Sequence, residues 1–183
     1  MTRPSPTALR WRDMAASDLP ALLSVAALVH PDFPEHEAVF AERLRLFPAG
    51  CRVLVDPHDG LLGYLLSHPW HRETPVPLNS LLQRLPLQPG TLYVHDLALL
   101  PGARGSGVAG EAVRRVMELA RQLGVAEVSL VAVNSSAPFW TRHGFRAPQP
   151  QAPNLQSYGT DSLFMVRAMA TSRSEEHPAP RRP

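Results

Sequence analysis

The chain has 183 residues, 44% of them hydrophobic and 19% charged, with a formal net charge of +2. This is the composition of one globular domain with room for a buried core, and it excludes a disordered or coiled-coil chain. So small a basic excess also argues against nucleic-acid or membrane partners, since neither surface would meet a strong field.

The single cysteine, Cys51, has no partner for an internal disulfide, which suits a reducing compartment and gives a cytoplasmic expectation. No apolar run reaches the length of a membrane span. Residues 19–29 have the length of a signal-peptide core and follow Arg3, Arg10 and Arg12. Against that, Asp13 and Asp18 lie directly upstream, and Leu19, Leu22, Leu23, Ala26 and Ala27 keep helical spacing, which favours a helix of the domain itself.

In chain order, residues 1–7 are rich in Pro, Ser and Thr and read as a flexible N-terminus, and residues 8–170 read as a single domain. Residues 8–14 predict a short strand. Ser17 or Asp18 is placed to cap a helix with Pro20 in its first turn, where a missing N–H costs nothing; Pro31 and Pro34 end it near His30. A second helix over 35–47 puts Phe40, Leu44 and Phe47 on one face. Residues 51–56 and 61–67 flank Pro57-His58-Asp59-Gly60 and read as a hairpin. Residues 68–90 are proline-rich and irregular, with one helical turn within 79–85.

A strand over 91–99 leads to a helix over 105–123, whose Val108, Ala112, Val116, Leu119 and Leu123 recur at helical spacing. Gly124 is placed to end that helix in a left-handed conformation. An apolar strand over 125–133 then completes a right-handed parallel crossover. A short helix over 137–143 and a strand over 162–169 follow, and residues 171–183 read as a disordered tail. The order predicts a mixed α/β domain.

Arg104, Gly105, Ser106, Gly107, Val108, Ala109 and Gly110 join a strand to a helix. Glycines there let backbone N–H groups approach an anion, and the helix N-terminus adds a favourable dipole; the alternative is a turn that needs glycine only for its backbone angles. A P-loop needs Gly-Lys-Ser/Thr, and the chain contains no lysine. Gly105, Gly107 and Gly110 satisfy the dinucleotide pattern GxGxxG, but five residues intervene after the strand, and the candidate ribose-binding acid, Glu127, opens the next strand instead of closing it.

Arg104 to Ala109 matches the Arg/Gln-x-x-Gly-x-Gly/Ala pattern of the GNAT superfamily of N-acetyltransferases, with Pro101 at the usual spacing before it. Asn134 through Phe145 resembles the family's second block, which runs from the end of a strand through a short helix into Gly-Phe. The resemblance implies the GNAT fold: a splayed, mostly antiparallel mixed sheet with a central β-α-β crossover and helices on both faces. Acetyl-CoA would be the co-substrate, with no metal. The backbone of Leu97, Ala98 and Leu99 would pair with the pantetheine arm, the amides of Arg104 through Gly110 would hold the pyrophosphate, and Asn134 and Phe139 would face the rest of the cofactor.

Acetylating an amine requires a neutral nucleophile and a group to take its proton. His95, on the strand feeding the glycine loop, is the candidate base, since imidazole titrates near neutral pH. Strand alternation sets Tyr93, His95 and Leu97 on one face and Val94, Asp96 and Ala98 on the other. This strand resembles that of arylalkylamine N-acetyltransferases, in which two histidines two residues apart line the catalytic channel; here Tyr93 stands at the first position. Trp140 stands where many GNAT enzymes have an acidic tyrosine, and indole has no readily ionisable proton. Tyr158 is a phenol that nothing in the sequence places near the site.

Substrate contacts are expected from Phe33, Trp70 and Tyr93, with His71 adding to an apolar, cation-friendly wall and Glu35, Glu37 and Glu73 attracting an amine. The acceptor expected is a small primary amine, an arylalkylamine or polyamine. Two other readings stay open: a non-catalytic acyl-CoA-binding module, and an acetyltransferase acting on protein N-termini or lysines. Whether the chain is a monomer or a homodimer is not encoded in any motif.

Overall fold

The computed structural model describes residues 9–170, so the expected flexible terminus (1–7) and disordered tail (171–183) lie outside the described residues. Its strands are β1 (Arg10–Asp13), β2 (Cys51–Val55), β3 (Leu61–Trp70), β4 (Thr91–Leu99), β5 (Glu127–Ala132) and β6 (Leu163–Ala168). The helices are α1 (Leu19–Val29), α2 (Glu37–Leu46), α3 (Val108–Leu123) and α4 (Ala137–Arg142). The strands form one sheet in sequence order, antiparallel throughout except for the β4–β5 pair. That parallel pair, joined through α3, is the expected crossover.

Alternation along the strands divides the core. Leu54 and Leu65 turn toward α3, whose Val108, Ala112, Val113, Val116 and Ala120 form the buried stripe. Val53, Val55, Tyr64 and Leu66 turn toward α1 and α2, where they meet Leu22, Val25 and Phe40. The stripe on α3 is rotated from the predicted one, leaving Leu123 exposed. Gly124 ends the helix at φ 66° as expected.

Several element boundaries differ from the sequence reading, each for a local reason. β3 runs three residues past 67, through Pro69, because beyond Leu66 it pairs only with β4 and has a free edge that tolerates a missing donor. The helical turn expected within 79–85 does not form, since Asn79 and Gln83 both take left-handed φ values, 56° and 64°. Asp18 does not cap α1 through its side chain; its carboxylate instead accepts the Ala15 N–H at 2.8 Å and a two-pronged contact from Arg12.

The largest departure lies in β4. Leu66 pairs with Asp96 and Ser67 with Val94, so β4 carries one extra residue, His95, opposite an unbroken β3. This bulge resets the alternation. Leu97 joins the α3-facing core while Asp96 reaches Tyr64 on the α1 side, so the predicted grouping of His95 with Leu97 is corrected. His95 and Asp96, adjacent in sequence, both turn toward α1 and its following loop.

Candidate active site

β4 and β5 pair only over Thr91–Val94 and Glu127–Leu130, and beyond that they diverge. The gap opens into a cleft of about 900 Å³ that reaches from the glycine loop to the loops after α1 and before β6. One end of it is made of backbone. Leu100 N–H donates to Leu62 on β3, so by alternation Ala98 also spends its amide on β3, while Leu97 and Leu99 turn theirs to the open edge. Ala98 is therefore removed from the expected pairing set, its side chain buried against the α1 side.

At the glycine loop, Gly105 and Gly107 have φ of 75° and 87°, so the helix starts at Val108 and not at 105. Among the described residues, no backbone or side-chain acceptor takes the amides of Gly105 through Gly110, and no side chain caps α3. These amides lie at a helix N-terminus, with Arg104, Arg114 and Arg142 also lining the cleft, which is the arrangement that suits a diphosphate. Trp11 fixes the loop from behind by donating its indole N–H to Val108 O at 3.0 Å.

Leu97, Leu99, Arg104, Gly105, Gly107, Ala109, Gly110, Asn134 and Phe139 all line the cleft, as does Phe33. Ser106 and Val108 do not line the cleft: the Ser106 hydroxyl is spent on Ala103 O at 2.7 Å, and the Val108 side chain belongs to the core. Trp70 and Tyr93 are not wall residues. They pair with Thr91 and Ser129, where the sheet is still closed, and pack in a separate core behind the cleft with Val76 and Leu82. His71, Glu37 and Glu73 also lie outside it, whereas Glu35 lines it.

The other end is made of side chains. His95 Nε2 lies 2.8 Å from Glu35 Oε2, with only 2% and 6% of the two side chains exposed. A carboxylate only accepts, so Nε2 carries the proton, and Nδ1, buried and without a partner, keeps its lone pair. Burial works against the Glu35 carboxylate, but contact with His95 and the Asn79 N–H holds its pKa below the ordinary value. Behind this pair stands His68, its ring centroid 6.3 Å from that of His95; burial, aided by His95, presses its pKa down to about 3.

Asp96 accepts a 2.5 Å hydrogen bond from the Tyr64 hydroxyl and lies 3.0 Å from His30 Nε2. Burial opposes its charge, yet these partners keep Asp96 ionised below its usual range. Tyr158 also lines the cleft, 6.5 Å from Phe33 between ring centroids, and donates to Val76 O at 2.7 Å. Trp140 is buried against Phe139 and Phe145 and also lines the cleft. Sequence reasoning missed His30, Tyr64 and His68. The only local signal was His30 closing a helix, and the partner that gives it meaning, Asp96, is 66 positions away.

A model of the acetyltransferase (GNAT) family matches residues 12–145, most of the chain. The chain belongs to the GNAT family. Among curated proteins, none matches this sequence. Similar solved structures include the GNAT-like decarboxylase GphF in complex with isobutyryl-CoA, 18% identical over 88% of this chain and 100% of that one, with a TM-score of 0.73. The loading GNATL domain of CurA from Lyngbya majuscula is 13% identical over 88% and 98%, with a TM-score of 0.72. The ribosomal-protein-S18-alanine N-acetyltransferase of Escherichia coli is 15% identical over 92% and 99%, at 0.64. At such identities the likeness is one of fold. Among the described residues no helix is long and apolar enough to cross a membrane.

Proposed function

We propose that this acetyltransferase moves the acetyl group of acetyl-CoA to a small primary amine, an arylalkylamine or polyamine, by direct attack with His95 as general base. The observation that carries this reading is the His95 ring: Glu35 holds one nitrogen, and the other presents an unpartnered lone pair at the point where the sheet splays. Oriented in this way, Nδ1 takes the proton of the attacking amine, and the Glu35 carboxylate stabilises the imidazolium that results. The open edge at Leu97 and Leu99 and the free amides of Gly105 through Gly110 fit the pantetheine and diphosphate of the acyl donor.

A small acceptor is favoured over a polypeptide by the way the far end is covered. Residues 76–83 run across it and are tied on both sides. Asn79 N–H donates to Glu35 and Asn79 Oδ1 accepts the His36 N–H, while Leu78 N–H donates to Ser157 and Val76 O accepts from Tyr158. Glu42 and Arg43, a buried pair on α2, bind the same segment through Leu82, Gln83 and Ser80. The loops after α1 and before β6, which flank this end of the cleft, are thus stitched together. What they enclose is an aromatic pair, Phe33 and Tyr158, beside the Glu35 carboxylate, a wall suited to an organic ammonium.

The test is coenzyme A release, read with a thiol reagent, over a panel containing phenethylamine, spermidine and a short peptide. Turnover is expected with the small amines and not the peptide. His95→Ala is expected to lower kcat by about 10²–10⁴-fold while calorimetry shows acetyl-CoA binding unchanged. Binding with no turnover on any amine would favour the non-catalytic acyl-CoA-binding module.

A further inference from the structure

The base accounts for one proton; the departing thiolate takes up another to become a thiol, and Trp140 has none to give. We infer that His30 is the general acid of the transfer, delivering a proton from Nδ1 to the coenzyme A sulfur. The inference rests on the acetyl-transfer reading above and adds a second, separate residue to it.

The geometry is that of a group set across the mouth of the splayed sheet. His30 follows the last turn of α1, its N–H bonded to Ala26 O at 2.8 Å. Its ring reaches β4 on one side, with Nε2 3.0 Å from Asp96 Oδ1, in ion-pair contact though off the line of an ideal hydrogen bond. On the other side Nδ1 lies 3.0 Å from the amide nitrogen of Asn134, just past the end of β5. A pantetheine arm paired with Leu97 and Leu99 and pointing toward His95 would enter the gap beyond Val94 and Leu130, where β4 and β5 part, and this gap is the one His30 bridges from Asp96 to Asn134. With Nε2 against Asp96, Nδ1 is the nitrogen left for the thioester, and it would exchange its Asn134 partner for the sulfur when the proton is delivered.

The surroundings favour the protonated ring. Asp96 from β4, itself held by Tyr64 of β3, and Glu35 from the loop after α1 are the nearby anions; Arg104 of the glycine loop is the opposing cation. The C-terminal end of α1 adds its negative pole. Burial lowers the pKa of His30, yet the Asp96 contact outweighs it and leaves the value above that of a free imidazole. Asn134 adapts to either state: its amide nitrogen serves a neutral Nδ1, and the amide turned over offers its oxygen to Nδ1–H.

The step balances. The amine nitrogen bonds to the acetyl carbon and passes its proton to His95 Nδ1. As the tetrahedral adduct collapses, the carbon–sulfur bond breaks, its electron pair goes to sulfur, and His30 Nδ1–H protonates that sulfur to give coenzyme A thiol. His95 then loses a proton to solvent and His30 regains one, so no net proton is consumed.

His30→Gln keeps a polar group of similar reach without an ionisable proton. The expected result is a kcat reduced by about 10²-fold, acetyl-CoA binding changed by no more than about threefold, and loss of the alkaline limb of the kcat–pH profile. Asp96→Asn is expected to move that limb to lower pH. A His30→Gln enzyme with near wild-type kcat, or with the alkaline limb intact, overturns the inference. If His30→Gln does not fold, the His30 titration is followed by NMR in the wild-type protein; a midpoint that does not coincide with the alkaline limb overturns it equally. The two levels separate cleanly: an inactive wild type refutes the amine-transfer reading, whereas an active wild type with a dispensable His30 refutes only this inference.

Discussion

The two ends of the cleft are built in opposite ways. At the glycine-loop end the groups that face the cleft are main-chain amides of neighbouring residues, joined by the guanidinium side chains of Arg104, Arg114 and Arg142, with glycine at two left-handed positions. At the other end the polar groups are side chains, and the set comes from β3, β4, the end of α1, the loop after it and the loop before β6. The first kind of site tolerates substitution but not a change of backbone; the second tolerates neither the loss of a side chain nor of the contacts that hold it. Variants at the two ends are therefore expected to separate binding from turnover, and the size of their effects should follow this division.

The largest effect is expected from Arg43→Ala. The guanidinium is fully buried, paired with Glu42 and bonded to Ser80 O, so its loss leaves a buried carboxylate and frees the covering segment. A destabilisation of about 3–5 kcal/mol is expected in urea unfolding; a loss of only a few tenths would mean that the segment is anchored some other way.

Next is the acid response of His68. Its pKa is pressed to about 3 in the folded protein, so at any pH between that value and the unfolded one the unfolded chain takes up a proton that the folded chain refuses. Stability therefore falls as pH drops below about 6.5, by at most about 1.4 kcal/mol per pH unit. Glu35 and Asp96, whose folded pKa values are lowered, contribute stability that is lost only below about pH 4. Urea unfolding of wild type and His68→Gln between these limits isolates the histidine: the variant's stability is expected to decline less steeply than the wild type's, keeping only the shallower slope of His143, whose pKa burial also lowers.

At the cofactor end, Gly107→Ala places a Cβ at φ 87° with no atom within 4 Å to clash, so only backbone strain opposes it. That strain is about 1–2 kcal/mol. Calorimetry is expected to show acetyl-CoA affinity lowered about tenfold with kcat at saturation preserved. An unchanged affinity would sever the glycine loop from the diphosphate.

The smallest effect is expected from Trp140→Phe, which keeps an aromatic face for Phe139 and Phe145. Its kcat should stay within about threefold of wild type, far short of the 10²-fold or greater loss of an acid–base group; a larger fall would give the indole a chemical role.

The same division explains what could be read from the chain. The glycine loop, the strand before it and the helix after it were legible because their determinants lie within a few residues of one another. Phe33 and Glu35 could be named as candidates, but Trp70 and Tyr93 were misplaced, because which stretch of the sheet stays closed depends on how far β4 and β5 remain paired. The bulge at His95 was invisible for a related reason: an extra residue in one strand is defined only against its partner, and β3 lies some thirty positions earlier.

The sequence by itself determined the order of strands and helices, the crossover and the glycine turn. These follow from side-chain periodicity and from the backbone freedom of glycine, both short-range properties. Only the tertiary structure decided that Glu35 orients His95, that Asp96 turns with it toward α1, and that His30 spans the open strand ends. Buried charges find one another through space, and the pairing that makes them stable is set by the fold and not by the spacing of letters.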